Sequence, residues 1–174
     1  MSFLQRIFQG PNRREGLQPL YGAVVAAGRD PGWYREGHVP DTLDGRFDMV
    51  AAILALVLLR LEREGDDARD ESVLLTELFI DDMDATLRQI GIGDYVVGKH
   101  VGRMMSALGG RLAAFRSARE EAGSFEAAVG RNIFHDSPPS EEALSLVGDR
   151  VERYSGALDA AAAEALIAGR LPPL

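Results

Sequence analysis

The chain has 174 residues, a length that fits one domain, and 46% of them are hydrophobic, which is enough for a core. Its formal net charge of -8 disfavours general binding to nucleic-acid phosphates, because a net-acidic surface repels them. The sequence contains no cysteine, so disulfides, thiolate metal sites and cysteine nucleophiles are excluded.

Membrane insertion is not expected from the sequence. Residues 1–10 lack a long apolar core followed by small residues, so they do not form a secretory signal. The most apolar run covers residues 49–61 and falls short of the ~20 residues that a helix needs to cross a bilayer. We therefore expect a cytoplasmic protein without a transmembrane span.

Apolar spacing in the first half of the chain predicts helices separated by proline and glycine. A short opening segment carries Phe3, Leu4, Ile7 and Phe8 at helical spacing and ends at Gly10-Pro11. A helix over residues 17–27 follows, and residues 32–43 are irregular apart from a single turn near Trp33. The strongest prediction is a helix over residues 44–64 with Asp44 as its N-cap. Because that helix is apolar nearly all round, we expect it at the centre of the fold.

The second half continues as helices with short loops. The predicted helices cover residues 71–90, 95–121 and 125–134, and a last helix opens at Ser140 and includes the alanine run 160–163. Gly91 suits a helix C-cap and Asp94 suits the next N-cap. Since no segment alternates like a strand, we predict an all-α, single-domain bundle of about five to seven helices over residues 1–174, with residues 1–14 as a peripheral arm.

Asp81, Asp82 and Asp84 are the strongest candidates for enzyme chemistry. Aspartates one helical turn apart hold magnesium in all-α prenyl-transfer enzymes, which use two such helices facing each other. Here Ala85 stands where the carboxylate four residues after Asp81 is needed, and no second aspartate-rich helix is present. The alternative is a solvated face with an Asp84–Arg88 pair, which we favour. His38, His100 and His135 match no metal-binding spacing, so we predict no metal and no cofactor.

A strip of small residues runs along the helix predicted over residues 95–121, away from its apolar stripe. Small residues four apart allow another helix to approach closely, which offsets the roughly 1 kcal/mol that each helical glycine costs. Two interpretations remain open: a neighbouring helix of this chain fills the groove, or a helix of a client does. The strip consists of Gly98, Gly102, Ser106, Gly109 and Ala113.

The opening segment also has two interpretations. Phe3, Leu4, Ile7 and Phe8, with Arg6, Arg13 and Arg14, could bind weakly to an anionic membrane surface, or the segment could dock on its own domain.

Two groups of residues carry a resemblance to a known family. The first is Tyr34 with the run Val39-Pro40-Asp41-Thr42-Leu43-Asp44-Gly45-Arg46-Phe47-Asp48. The second is Phe79-Ile80-Asp81-Asp82-Met83-Asp84, followed by Leu87-Arg88, Gly91-Ile92-Gly93-Asp94, Lys99 and Gly110-Arg111. Their order and separation resemble the ubiquinol–cytochrome c chaperone family, although Gly98 and Gly109 replace a proline and an aromatic residue that the family often has.

The resemblance implies an α-helical chaperone, not an enzyme, that binds newly made cytochrome b and helps to assemble ubiquinol–cytochrome c reductase, respiratory complex III. It also implies a small partner protein, and the composition suggests a bacterial member peripheral to the inner membrane. The alternatives are a magnesium-dependent prenyl-transfer enzyme and a helical scaffold for a soluble protein. The residues that we expect to contact the client or partner are Arg46, Asp81, Asp84, Arg88, Lys99, Gly102, Arg103, Gly110 and Arg111.

Overall fold

The computed structural model describes the backbone of residues 10–89, 91, 94–120 and 124–174, and their side chains except those of 10–12 and 94–97. All regular elements in these ranges are helices, and six have eight or more residues, so the predicted all-α bundle is confirmed. In chain order they are α1 (Gly10–Gly16), α2 (Gln18–Gly28), α3 (Pro31–Arg35), α4 (Leu43–Leu61), a 3-10 segment (Glu62–Ala68), α5 (Arg69–Gln89), α6 (Asp94–Arg119), α7 (Phe125–Asn132), α8 (Glu141–Ala160) and α9 (Ala163–Ile167).

The centre of the fold is α4, as its composition predicts. Every residue from 49 to 61 is buried, and α2, α5, α6 and α8 all pack against this helix. An apolar surface on all sides of a helix is stable in water only when other elements cover each side, which these four do. No helix among the described residues combines the length and apolarity that a bilayer span requires.

The start of α4 differs from the prediction. Thr42, not Asp44, is the N-cap, and its hydroxyl accepts a hydrogen bond from the backbone N–H of Gly45 at 3.1 Å. Leu43 is already helical, so Asp44 lies inside the first turn, where its charge still favours the helix N-terminus. A threonine two residues before an aspartate therefore takes the capping role, because the cap must precede the first helical residue.

Gly10 and Pro11 are helical residues of α1, and the opening segment that the sequence predicts to end there lies outside the described residues. One other boundary also differs. The alanine run is broken, since α8 ends at Ala160 and Ala161 is extended with ψ 144°. The buried Arg60 lies at this break, and its guanidinium donates to the carbonyls of Leu158 at 3.2 Å and Ala161 at 2.9 Å. These bonds satisfy carbonyls that the helix leaves free at its C-terminus.

Trp33 fixes the short helix α3 to the bundle. Its side chain is fully buried, and its Nε1 donates to the carbonyl of Ala27 at 2.8 Å. The Arg150 guanidinium of α8 lies 4.2 Å from the centre of the indole ring and donates to Asp30 at 2.8 Å. A cation over an aromatic face is attracted to it, so α3 is tied to both α2 and α8.

Gly28 marks a close approach of α2 to α4, and we expect Gly28→Ala to destabilise the protein by about 1–3 kcal/mol. An added Cβ would lie 2.7 Å from the Cα of Val50, and backbone cannot yield as a flexible side chain can. Urea unfolding measures the effect. The control is Gly22→Ala, where a Cβ meets no atom and removal of a helical glycine stabilises by up to about 1 kcal/mol. Equal stabilities of the two variants would contradict this packing.

Candidate functional site

The outer face of α6 carries a strip of small, exposed residues. Leu108 and Phe115 turn inward and are buried, whereas the small residues on the opposite side are exposed. A Cβ added at Gly98, Gly102 or Gly109 would meet no heavy atom within 4 Å. No described helix of this chain therefore fills the small-residue strip, and the first of its two interpretations is not supported. We call this surface the α6 face, and it comprises Gly98, Lys99, Gly102, Arg103, Ser106, Gly109, Gly110 and Ala113.

Two cations lie beside this strip. Lys99 is exposed and makes no ion pair with a described residue. Arg103 is also exposed and approaches the ring of His100, with its terminal nitrogen 2.8 Å from Nδ1. His100 thus contacts a neighbour on the surface of α6. The α6 face therefore offers positive charge next to a place where a helix backbone can come close.

The charge pattern of α6 distinguishes it from the rest of the chain. Residues 95–119 contain five lysines or arginines and no aspartate or glutamate, although the whole chain has a net charge of -8. The three nearest the C-terminus pair with acids of the bundle: Arg111 with Asp48, Arg116 with Glu62, and Arg119 with Asp159. Lys99 and Arg103 pair with no acid among the residues that the structure describes. This one-sided pattern is visible in the sequence and marks α6 as a helix that meets acidic groups.

The aspartates of α5 contact other side chains of the protein. Asp81 pairs with Arg14, and Asp84 pairs with Arg88 at 2.7 Å, as predicted. Asp82 accepts a hydrogen bond from the Tyr21 hydroxyl at 2.7 Å, and burial raises the pKa of Tyr21, so the phenol stays protonated. Among the described residues, no group of three or more acidic or histidine side chains is arranged to hold a metal ion. Arg14 therefore docks on α5, as does Arg13, which pairs with Asp70 and Glu71.

Arg111 was predicted to lie on the surface that contacts the client, but it is buried inside the bundle. Its side chain is 2% exposed and pairs with Asp48, while its Nη2 also donates to the carbonyl of Asn132 at 2.7 Å. His135 contacts the other oxygen of Asp48 at 2.8 Å. The backbone of His135 has φ 50°, an uncommon conformation for a residue other than glycine. This cluster joins α4, α6 and the turn after α7.

Burial dominates the electrostatics of that cluster. Desolvation raises the pKa of Asp48 and lowers the pKa of Arg111, although each partner's charge acts in the opposite direction. The Nε of Arg111 is buried and has no hydrogen-bond partner among the described residues. A buried pair of this kind contributes little net stability, but the loss of one partner leaves an uncompensated buried charge. No pattern in the sequence indicates this pair, since the two partners are 63 positions apart.

The remaining predicted site residues lie apart from one another. Arg46 is exposed near the start of α4 and donates from Nε to Asp41 at 2.6 Å. Gly110 is exposed on the α6 face and open to an added Cβ. Ile92 and Gly93 of the second group of family residues, the side chain of Asp94, and the segment with Phe3, Leu4, Ile7 and Phe8 fall outside the described residues. The structure brings together Lys99, Gly102, Arg103 and Gly110, whereas Asp81, Asp84 and Arg88 lie on α5.

The sequence model of ubiquinol–cytochrome c chaperones matches residues 35–172, which is most of the chain. The chain belongs to the ubiquinol–cytochrome c chaperone family. The crystal structure of the Cbp3 homolog from Brucella abortus is similar to this chaperone, with a TM-score of 0.80 and 30% sequence identity. That match covers 99% of this chain and 97% of the other. No curated protein sequence matches the chain.

Membership in this family makes the protein an assembly chaperone of respiratory complex III. It confirms the family that the sequence resembles. The matched residues include α4, α5 and α6, and therefore the α6 face and the buried Asp48–Arg111 pair. The chaperone thus has an exposed helix face that its own described helices leave open.

Proposed function

We propose that this chaperone binds newly made cytochrome b through the α6 face and acts without catalysing a reaction. The observation that carries the proposal is that open glycines and two cations without an acidic partner in the described part of the chain lie together on one helix. Keeping glycine at exposed helical positions costs roughly 1 kcal/mol each, which a close helix contact offsets.

The chemistry of a half-inserted membrane helix fits this face. Its apolar side can lie along the glycines, because a helix without large side chains in between reaches short backbone distances. Its end exposes carbonyl groups that Lys99 and Arg103 are placed to contact, and a cation stabilises the C-terminal end of a helix. A client of this kind would place the chaperone at the cytoplasmic side of the inner membrane. A small partner protein would bind there together with it.

We expect Lys99→Glu combined with Arg103→Glu to leave the fold intact and to lower the amount of cytochrome b that accumulates. Both side chains are exposed, and surface changes alter stability by no more than about 0.5 kcal/mol each. The measurement pairs a thermal melt with the haem b spectrum of a strain in which the variant replaces the chaperone. The control is Arg131→Glu with Arg153→Glu, which changes the net charge equally on other exposed helix positions.

If the Lys99/Arg103 variant melts like the wild type and restores full haem b, the α6 face is not the client surface. If both variants lower haem b equally, net charge and not this face is responsible. The alternative of a magnesium-dependent prenyl-transfer enzyme predicts saturable binding of magnesium with an isoprenyl diphosphate that is lost on Asp81→Ala. A scaffold for a soluble protein would be recovered with cytosolic and not membrane partners in a pull-down.

A further inference from the structure

A second cationic feature lies near the start of α4, where Tyr34, Asp41 and Arg46 of the first group of family residues form the rim of a cavity. The cavity has a volume of about 250 Å³ and opens between the C-terminus of α2, the helix α3 and the first turn of α4. It contains three guanidinium groups and one carboxylate. Its lining residues are Arg29, Pro31, Tyr34, Arg35, Asp41 and Arg46.

The arginines of this cavity have N–H donors that no described residue accepts from. Arg29 and Arg35 are exposed, and neither makes an ion pair or hydrogen bond with a described side chain. Arg46 uses its Nε for Asp41, which leaves both terminal nitrogens without a partner among the described residues. This bond also lowers the pKa of Asp41, so the carboxylate stays ionised and holds Arg46 in place. The neighbouring acid, Asp30, is occupied by Arg150 at 2.8 Å.

The wall of the cavity is built by close contacts. The Tyr34 hydroxyl donates to the carbonyl of Gly28 at 2.9 Å, and burial raises the pKa of Tyr34, so the phenol remains neutral. The loop before α4 is tightly packed, because a Cβ on Gly45 would collide with the carbonyl oxygen of Pro40. The backbone that carries Asp41 and Arg46 therefore has little freedom, which reduces the entropy that a ligand must offset on binding.

We propose that this cavity, which we call the arginine pocket, binds a phosphate group. Three guanidiniums and one carboxylate leave two positive charges, which match a phosphate group, and guanidiniums recognise phosphate oxygens through paired hydrogen bonds. An excess of positive charge at this point contrasts with the net charge of -8 of the chain. The phosphate belongs either to an anionic phospholipid headgroup or to a small phosphate-bearing solute. This proposal does not depend on cytochrome b binding at the α6 face.

The test uses the full chain with two probes. Inorganic phosphate is titrated while the arginine Nε–H signals are followed by NMR, and vesicles of phosphatidylglycerol in phosphatidylcholine are used for co-sedimentation. The variant is Arg29→Gln with Arg35→Gln, and the control with equal charge change is Arg131→Gln with Arg153→Gln. For vesicles we expect a loss of roughly 30-fold in partitioning for the pocket variant alone, since each arginine near an anionic surface contributes about fivefold.

Phosphate shifts at Arg29, Arg35 and Arg46, with vesicle binding that the pocket variant loses, identify a lipid headgroup as the source. Phosphate shifts without vesicle binding identify a free phosphate ester. The proposal is overturned if phosphate shifts none of these signals, or if the pocket variant and the control bind both probes alike. A lipid headgroup is excluded as the source if vesicle binding is lost only with Lys99→Glu and Arg103→Glu, because the α6 face then binds the vesicles.

Discussion

Asp48→Leu is expected to destabilise the protein by about 3–5 kcal/mol, because it leaves the buried Arg111 guanidinium without its counter-ion. Arginine cannot shed its proton inside a protein, so the charge stays in the interior. Only 2% of Arg111 is exposed, and its Nε already lacks a partner among the described residues. Urea unfolding gives the free energy, and Glu62→Leu is the control, since its Arg116 partner is exposed and such pairs contribute about 0–1 kcal/mol.

The double variant Asp48→Leu with Arg111→Met tests the cause. If desolvation outweighs the attraction between the two charges, as the pKa directions of Asp48 and Arg111 indicate, removal of both costs far less than removal of Asp48 alone. A double variant as unstable as the single one would show that shape, not charge, determines the loss.

The same pair predicts a pH dependence for Arg111→Met. Without Arg111, Asp48 stays buried with its pKa raised further above its unfolded value, because the guanidinium was lowering it. A carboxyl with a raised folded pKa contributes stability below its unfolded pKa and loses it as pH rises through the folded pKa. The variant should therefore be more destabilised relative to wild type at about pH 8 than at about pH 5, where more of the folded carboxyl is protonated.

Gly102→Leu is expected to abolish cytochrome b accumulation while the chaperone stays folded. The position is exposed, and a Cβ there meets no atom, so a leucine has room and removes the glycine cost of about 1 kcal/mol in a helix. A leucine in the middle of the strip holds an incoming helix away from the α6 backbone and removes the close contact. The measurements are a thermal melt and the haem b spectrum of the complemented strain.

The matched control is Gly156→Leu on α8, which is also an exposed helical glycine with open space around it. It should melt like Gly102→Leu and restore normal haem b. If Gly102→Leu unfolds the protein, the strip packs internally after all. If it folds and restores haem b fully, no helix approaches the α6 face during assembly.

Composition and spacing predicted the long helices but not which residues each helix contacts. The apolar residues of α4 predicted its central position, and Gly91 takes the positive φ of 85° that a helix C-cap needs. Local rules failed at the alanine run, which breaks at Ala161, where the carbonyl accepts a hydrogen bond from Arg60, 101 positions earlier in the chain. Nor could spacing along α6 show whether a neighbour covers Gly98 and Gly102, because that depends on where the other helices end.

In the candidate site too, local spacing predicted some positions, whereas contacts between distant residues determined others. Helix phase placed Lys99 and Arg103 correctly on the outside of α6, and the Asp84–Arg88 pair formed as four-residue spacing predicts. Arg111 was misplaced because its residue type favours the surface, and its burial depends on Asp48 and the carbonyl of Asn132. The arginine pocket could not be predicted from the sequence either, because Arg29, Arg35 and Arg46 come together only when α3 packs against α2 and α4.

The burial of α4 has a consequence for biosynthesis. This helix leaves the ribosome before α5, α6 and α8, and Arg60 must wait for the carbonyl of Leu158, 98 residues later, before it finds that partner. Contacts so distant in sequence form slowly, and an uncovered apolar helix is prone to aggregate in the meantime. While it is being synthesised, this chaperone therefore exposes an apolar helix of the same kind as those it is proposed to protect, and would itself benefit from a holding factor.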